Sequence, residues 1–106
     1  MSFFDFFKPS GSTLPNKAPS PDQPRELLLY KTDFCPFCIR VFRSIDDLGL
    51  QVPMADLNAD MDNRAALFET TGRTTVPCLF IDGEPLFESV DIIKWLTAYK
   101  SGGATQ

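Results

Sequence analysis

The strongest pattern in the chain is a continuous apolar run followed by a stretch of helical spacing. Residues 26–31 contain Leu27-Leu28-Leu29-Tyr30 without polar alternation, which is typical of a strand buried on both faces. From Pro36 onwards, apolar residues recur every three or four positions, as in an amphipathic helix: Ile39, Val41, Phe42, Ile45 and Leu48. Gly49 is placed to end this helix in the left-handed conformation. The pattern therefore predicts that folded structure begins near Arg25 with a strand and then a helix.

Two weaker elements are predicted next. Residues 50–57 alternate loosely between apolar and polar, but Pro53 lacks the N–H that an interior strand donates, so we expect an edge strand. Asp60 is suited to cap the start of a second helix, and Gly72 is suited to end it. The apolar face of this helix is thin and consists of Ala65, Leu67 and Phe68, which predicts a half-exposed helix.

The C-terminal part of the chain predicts a hairpin and a last helix. An apolar strand at residues 78–81 is followed by Asp82-Gly83, a typical hairpin turn, and by a short strand around Leu86-Phe87. Ser89 is suited to cap the last helix, which Gly102 closes. The apolar stripe of this helix is Ile92, Ile93, Leu96 and Tyr99. The predicted order is strand, helix, strand, helix, strand, strand, helix.

Residues 1–24 differ in composition from the rest of the chain. Four phenylalanines lie within Phe3–Phe7, and Pro, Ser, Gly and Asn predominate in the remainder, as in a flexible linker. The favoured interpretation is a mobile tail that is dispensable for activity, because it cannot bury enough apolar area to offset its ordering. The aromatic cluster could instead dock on the domain or rest in a membrane interface, although one or two turns offer little area for membrane binding. We therefore predict a tail at residues 1–24, a domain at residues 25–101 and a C-terminal tail at residues 102–106.

Length and composition allow one domain and exclude several classes of function. With 106 residues, 43% of them hydrophobic, the chain can form one core. A net charge of −4 without a basic run argues against nucleic acid as a partner. The lack of histidine excludes Ser-His and Cys-His catalysis, and three cysteines are one short of a closed zinc site, so no metal site is expected. No apolar run approaches the roughly 18 residues that suggest a membrane span.

The candidate chemistry lies in Cys35-Pro36-Phe37-Cys38, between the first strand and the first helix. A cysteine at the start of a helix faces unpaired backbone N–H groups and the positive end of the helix dipole, which stabilise a thiolate. Pro36 suits the first helical position, where its missing N–H costs nothing. Cys38 lies three residues on, so the two sulfurs can close a small disulfide ring. The spacing makes Cys35 the candidate nucleophile and Cys38 the candidate resolving thiol.

Three motifs in order resemble those of glutaredoxins, with features shared with the N-terminal domain of glutathione transferases. They are Cys35-Pro36-Phe37-Cys38 before a helix, Thr75-Val76-Pro77 before a strand, and Glu88-Ser89-Val90-Asp91 at the start of the last helix. The resemblance covers about residues 26–99. It implies an α/β thioredoxin-like fold, with a four-stranded mixed sheet flanked by helices and the dithiol at the end of the first strand.

The resemblance also implies a glutathione site. Pro77 is expected to be cis and to lie beside the dithiol, and the backbone of Val76 is expected to pair with the cysteinyl part of glutathione like an added strand. The start of the last helix is expected to receive the γ-glutamyl end, with Ser89 for its carboxylate and Asp91 for its ammonium. Thr75, Phe37 and Val90 complete the implied contacts.

The chain departs from the family pattern at three places. Glu88-Ser89 stands where glutaredoxins commonly carry Gly-Gly, and this pair is closer to the transferase form. Many glutaredoxins place a lysine three residues before the first cysteine for the glycine carboxylate of glutathione, whereas Lys31 lies four before Cys35. Because one residue along a strand turns a side chain to the other face, Lys31 and Arg73 are competing candidates for this contact. Cys78 has no role in the implied mechanism and is interpreted as a small core hydrophobe.

The activity implied by the resemblance is that of a glutathione-dependent thiol-disulfide oxidoreductase. Its expected co-substrate is glutathione, and its expected partners are glutathionylated or disulfide-bonded proteins. An alternative is an iron–sulfur cluster binding or assembly module that uses Cys35 and glutathione, as some relatives do. A glutathione-conjugating transferase would need a helical second domain, and a redox-inert binding module would not need the dithiol. Three cysteines without a signal peptide predict a reducing, cytoplasmic compartment, and we expect a monomer.

Overall fold

The structure is a computed structural model that describes residues 18–102. Within these residues, no helix combines the length and the apolar character that a membrane-spanning segment requires. The strands and helices follow the predicted order: β1 (Leu27–Lys31), α1 (Pro36–Leu48), β2 (Met54–Asp56), α2 (Met61–Thr71), β3 (Cys78–Ile81), β4 (Glu84–Phe87) and α3 (Ser89–Gly102).

The four strands form one mixed sheet in the order β2-β1-β3-β4. β1 runs parallel to β2, while the pairs β1/β3 and β3/β4 are antiparallel. β2 lies at the edge, as predicted, and Pro53 just before it uses its carbonyl oxygen to accept a hydrogen bond of 2.9 Å from the Leu29 N–H. This topology brings the end of β1, which leads to Cys35, next to the start of β3, which follows Pro77.

The turns and caps follow the sequence signals at most positions. Gly49 and Gly72 end α1 and α2 with φ of 70° and 80°, in the left-handed region that glycine tolerates. The Asp60 side chain caps α2 by accepting a hydrogen bond of 2.9 Å from the Asp62 N–H. The Asp82-Gly83 turn has positive φ at both residues, as a tight hairpin requires.

The cap of α3 differs from the prediction. Ser89 is the first helical residue, so the cap position belongs to Glu88, whose carbonyl oxygen accepts a hydrogen bond of 3.0 Å from the Ile92 N–H. Glu88 has a φ of 75°, a conformation that a non-glycine residue seldom adopts. The backbone turn at Glu88 therefore starts the helix one residue earlier than a serine cap would.

Apolar side chains pack on both faces of the sheet. One face is covered by α1 and α3 and holds the larger cluster: Leu27, Leu29, Val41, Ile45, Leu79, Ile81, Leu86, Ile92, Trp95, Leu96 and Tyr99. The other face holds Tyr30, Ala55, Leu57, Leu67 and Cys78. Leu67 is the buried residue of α2, whereas Ala65 and Phe68 are exposed, so the half-exposed character predicted for this helix is confirmed.

The chain before β1 lies against α3. The Trp95 Nε1–H donates a hydrogen bond of 2.7 Å to the Pro19 carbonyl oxygen, and Ala18 packs against the larger cluster. The Arg25 N–H donates to the Tyr99 hydroxyl at 3.0 Å. The boundary between tail and domain at Arg25 stays a prediction. Ala18 and Pro19, which lie on the tail side of this boundary, contact the domain. The aromatic cluster Phe3–Phe7 and residues 103–106 lie outside the described residues.

Candidate active site

Cys35 occupies the cap position of α1. Its backbone is extended, with φ −85° and ψ 122°, and its carbonyl oxygen accepts a hydrogen bond of 3.0 Å from the Ile39 N–H. Pro36 follows at the first helical position, as predicted. The first turn of α1 carries no acidic side chain, so nothing in that turn opposes the helix dipole at the sulfur. The half-buried Cys35 thiol therefore lies at the start of a helix, where a disulfide can approach it.

The second cysteine of the dithiol has a different environment. Cys38 lies inside α1 and is fully buried. Burial raises the pKa of the Cys38 thiol to about 11, and the neighbouring Cys35 adds to this rise, while hydrogen bonding from Thr32 opposes it. At neutral pH Cys38 is thus a protonated thiol, and the two cysteines are chemically unequal.

The segment before β3 lies beside the dithiol. The Val76–Pro77 peptide bond is cis, as the resemblance implies. The Cys35 Sγ–H donates to the Val76 carbonyl oxygen at 4.0 Å, so the nucleophile lies directly against this backbone. Thr75 is exposed and Val76 is half-buried, which leaves the backbone of this segment open to a ligand.

A cavity of about 290 Å³ joins this segment to the start of α3. This volume is at the lower end of the range of small-molecule sites. Six of the predicted site residues line the cavity: Phe37, Thr75, Val76, Pro77, Ser89 and Val90. Arg40 and Glu88 also line it, although neither was predicted as a contact. The structure therefore brings together the residues of all three motifs.

The two basic residues predicted to compete for a carboxylate lie outside the cavity lining. The Lys31 Nζ forms ion pairs with Asp33 at 2.6 Å and with Asp56 at 3.3 Å. The hydrogen bond to Asp33 is the main cause that raises the pKa of Lys31. The Arg73 guanidinium stacks at 4.0 Å over the Phe87 ring, in a cation–π contact. Lys31 is thus engaged by two carboxylates, while Arg73 is exposed at the surface.

Arg40 is the basic residue that lines the cavity within residues 18–102. It lies three residues after Phe37 on α1, and residues at this spacing share a helix face. The helical spacing from Phe37 was therefore a signal that could have found Arg40. Asp91, in the first turn of α3, is half-buried next to the lining residues Ser89 and Val90.

Cys78 is fully buried in β3, opposite Tyr30 on one neighbouring strand and Phe87 on the other. Burial raises the pKa of the Cys78 thiol to about 12, so it is protonated at any physiological pH. This environment fits the predicted structural role.

The buried thiols predict a loss of stability at high pH. The pKa values of Cys38 and Cys78 rise from the ordinary value of 9.0 to about 11 and about 12, so above pH 9 the folded state binds more protons than the unfolded state. Their stabilising contribution is complete below pH 9 and declines as pH rises towards the folded pKa values. Each thiol then lowers the free energy of unfolding by about 1.4 kcal/mol per pH unit.

Cys78→Ala isolates this effect. The variant should be less stable at every pH, because it leaves a cavity, but its decline between pH 9 and pH 11 should be shallower than that of the wild type by about 1.4 kcal/mol per unit. Urea unfolding of both proteins under reducing conditions measures the two slopes. If the free energy of unfolding declined equally steeply with pH in both proteins, the raised pKa of Cys78 would be contradicted.

The mixed sheet, the three helices and the Cys-x-x-Cys site beside Val76-Pro77 define a protein of the thioredoxin-like fold. The family model for glutaredoxin matches residues 27–86, which is more than half of the chain. The chain therefore belongs to the glutaredoxin family.

Known relatives agree with this assignment. Glutaredoxin-C6 of Oryza sativa subsp. japonica is 36% identical over 61 residues, which cover 55% of this chain and 54% of that protein. The chain thus spans about half the length of the curated relatives it matches first. The crystal structure of a buckwheat glutaredoxin–glutathione complex has a TM-score of 0.56 and 26% identity, covering 76% of this chain and 83% of that one. A glutathione transferase Omega 3C from Trametes versicolor, at 21% identity and TM-score 0.60, covers 71% of this chain and 34% of its own and shares the fold.

Proposed function

We propose that the protein is a glutathione-dependent thiol-disulfide oxidoreductase that reduces protein–glutathione mixed disulfides and protein disulfides through Cys35. The observation that carries the proposal is the position of the Cys35 thiol, at the start of α1 and against the Val76 carbonyl oxygen, beside a cavity lined by all three motifs. A sulfur bound beside Val76, which lines the cavity, would lie within reach of the Cys35 thiol. The buckwheat glutaredoxin that shares this fold forms a complex with glutathione.

The cavity suits the cysteinyl and γ-glutamyl residues of glutathione. The open Val76 backbone can pair with the cysteinyl residue, which places its sulfur near Cys35. The start of α3 presents N–H groups without helical partners, which favour the γ-glutamyl carboxylate near Ser89 and Val90. The Asp91 carboxylate lies in the same turn, and in this proposal it pairs with the γ-glutamyl ammonium.

The glycine carboxylate of glutathione has three candidate partners. Binding to Lys31 would compete with the ion pairs to Asp33 and Asp56. Binding to Arg73 would take place outside the cavity lining. Arg40 lines the cavity and can meet a carboxylate there without releasing an ion pair among the described residues, so we favour it.

The reaction proceeds by two thiol–disulfide exchanges. The Cys35 thiolate attacks the glutathione sulfur of a protein–glutathione disulfide, and the protein leaves as a thiolate that takes up a proton. A second glutathione thiolate then attacks the glutathione sulfur bound to Cys35, which yields oxidised glutathione and restores the Cys35 thiolate. With a protein disulfide, the Cys35 thiolate attacks one sulfur, and the other leaves as a thiolate that takes up a proton. Cys38 then gives up its proton and attacks the Cys35 sulfur, which releases the protein as a thiolate and forms the Cys35–Cys38 disulfide. Two glutathione molecules reduce this disulfide and leave as oxidised glutathione.

Exposed apolar side chains around the dithiol support protein substrates. Phe34, next to Cys35, is 89% exposed, Phe37 is 55% exposed and Val90 is 51% exposed. Exposed apolar side chains near a reactive thiol can contribute to the binding of a protein substrate. The proposal also places the protein in a reducing, cytoplasmic compartment, where glutathione maintains free thiols.

The direct test measures release of glutathione from a purified glutathionylated protein. The wild-type chain should accelerate release, and the rate should saturate with glutathione but not with the dipeptide Cys-Gly, which lacks the γ-glutamyl group. A rate no higher than background would overturn the proposal. A protein that is coloured after anaerobic purification and inactive in this assay would support the iron–sulfur alternative instead.

Asp91→Ala should weaken the handling of glutathione without affecting the fold. Loss of a charged hydrogen-bond partner costs about 1 to 3 kcal/mol, so the glutathione concentration at half-maximal rate should rise about 5- to 150-fold. Asp62→Ala is the matched control, because Asp62 is the first-turn acid of α2. An unchanged glutathione dependence in Asp91→Ala, or an equal change in both variants, would place the γ-glutamyl site elsewhere.

A further inference from the structure

A second and larger concavity lies at the opposite end of β1 from the dithiol. It has a volume of about 920 Å³, and we call it the distal groove. Its floor is mainly apolar and includes Leu28 and Phe80 on the sheet, Leu50 and Pro53 before β2, and Tyr99 on α3. Cys35 follows the C-terminal end of β1, whereas the distal groove surrounds the N-terminal end. The proposed catalytic reaction therefore makes no use of this groove.

The part of the groove floor formed by Leu28 and Phe80 belongs to the sheet face on which α2 packs. The buried cluster beneath α2 contains Tyr30 and Cys78, a cross-strand pair at the end of β1 that is nearer the dithiol. Leu28 and Phe80, the cross-strand pair nearer the start of β1, are only half-buried. Both pack against this cluster, but residues 18–102 leave them incompletely covered. An apolar group that packs on half-buried side chains such as these removes their remaining apolar surface from water and thereby stabilises the fold.

We propose that the aromatic segment Phe3–Phe7 of the same chain binds in the distal groove and covers Leu28 and Phe80. The segment supplies four of the ten phenylalanines of the chain within five residues. Phenylalanine side chains carry large apolar areas and have few rotatable bonds, so their burial costs little side-chain entropy.

The chain approaches the groove from the correct side. Pro24 and Arg25 are part of the groove lining. Trp95 holds Pro19 against α3 through the hydrogen bond of 2.7 Å, and its ring stacks at 4.8 Å on that of Tyr99, which lines the groove. Pro24, which lines the groove, follows Pro19 by five residues, so Pro19 lies at most about 17 to 18 Å from the groove.

The chain between the aromatic segment and Ala18 is long enough for the segment to reach the distal groove. The ten residues from Lys8 to Lys17 lie between the aromatic segment and Ala18. Ten extended residues span up to about 33 to 36 Å, well beyond the distance that the fixed Pro19 leaves to cover. A short flexible tether holds a segment at an effective concentration in the millimolar range, so even a weak intrinsic affinity gives substantial occupancy.

The charges of the segment and of the groove are complementary. Asp5 lies in the middle of the aromatic segment, and Lys8 follows it. The groove is lined by Lys100, which forms no ion pair with the residues that the structure describes, and by the exposed Glu26. Arg25 at the same rim is already paired with Asp82 at 3.0 Å. Lys100 is thus the cation available to Asp5, and Glu26 is available to Lys8.

The test is nuclear magnetic resonance spectroscopy of the full chain at low concentration. Nuclear Overhauser contacts between tail phenylalanine rings and the methyl groups of Leu28 and Leu50 are expected in the wild type. They should be lost in the full-length variant with Phe3, Phe4, Phe6 and Phe7 all changed to serine. Leu14→Ser, an apolar change between the aromatic segment and Ala18, is the matched control and should retain them.

A charge exchange tests the orientation of the segment independently of its apolar content. Asp5→Lys should weaken the contacts, and the double variant Asp5→Lys with Lys100→Asp should restore them. The four-serine variant should keep the wild-type rate of glutathione release at Cys35, because the groove lies at the other end of β1.

Three results would overturn the proposal. The first is an absence of contacts between the tail rings and the groove in the wild type. The second is contacts that arise only between isotope-labelled and unlabelled chains, which would mean that a second copy fills the groove. The third is contacts that appear only with vesicles of phosphatidylcholine and phosphatidylglycerol, which would make the segment a membrane anchor.

Discussion

Cys35→Ser is expected to abolish both the release of glutathione from glutathionylated proteins and the reduction of protein disulfides. Cys35 is the half-buried cysteine of the described residues, at a helix start and against the Val76 carbonyl oxygen. A serine hydroxyl is not ionised at this position at neutral pH and cannot replace a thiolate in disulfide exchange. Both rates should fall to the background measured without protein.

Neither remaining cysteine can substitute for Cys35. Cys38 and Cys78 are buried, and their pKa values of about 11 and about 12 keep them protonated at neutral pH. Cys78→Ala is the matched control, because it removes a thiol from the core and leaves the dithiol intact. It should retain both activities at a temperature where it is folded. Residual activity of Cys35→Ser above background would show that another thiol, or no thiol, carries the reaction.

The backbone architecture was largely predictable because its signals are local. The change from a continuous apolar run to helical spacing places β1 and α1. Glycines at positions 49 and 72 end two helices in the left-handed region, which glycine adopts more readily than other residues. The Asp82-Gly83 turn fixes the hairpin of β3 and β4 in the same way. Each signal depends on residues a few positions apart, so tertiary packing did not override it.

The start of α3 and the N-terminal contacts were less predictable. Ser89 has the composition of a helix cap, but the positive φ of Glu88 moves the helix start by one residue. Trp95 was missing from the predicted stripe of α3, although it lies three residues after Ile92 and four before Tyr99, and it is fully buried. It also donates a hydrogen bond to Pro19, 76 positions earlier in the chain. A hydrogen bond over that separation leaves no periodic trace in the sequence.

The dithiol and its neighbouring motifs were predictable from spacing, whereas the charges of the site were not. The pairing of Lys31 with Asp56 follows from the parallel register of β1 and β2, which places these two residues opposite each other. Register between strands 25 residues apart is a tertiary property. For the same reason, the sequence did not show that Lys31 is paired with Asp56, whereas the helical spacing from Phe37 could have found Arg40 in the cavity lining.

Cys38→Ser is expected to separate the two activities. Release of glutathione should continue near the wild-type rate. Cys35 keeps its thiol and its contact with the Val76 carbonyl oxygen, and Cys38 is not among the residues that line the cavity. The second exchange can use free glutathione. Reduction of protein disulfides should be lost, because the mixed disulfide between Cys35 and the protein substrate then lacks an internal thiol to resolve it.

The buried position of Cys38 makes this separation sharp. Its thiol is shielded from solvent and protonated at neutral pH, so it can attack only a sulfur that is already bonded to Cys35 one turn away. The two assays on one preparation of Cys38→Ser measure the effect, and a trapped complex with the protein substrate should appear on a non-reducing gel. Equal loss of both activities in Cys38→Ser and Cys35→Ser would mean that the Cys35–Cys38 disulfide is required in every cycle. The glutathione-specific mechanism would then be wrong, and a thioredoxin-type dithiol cycle would replace it.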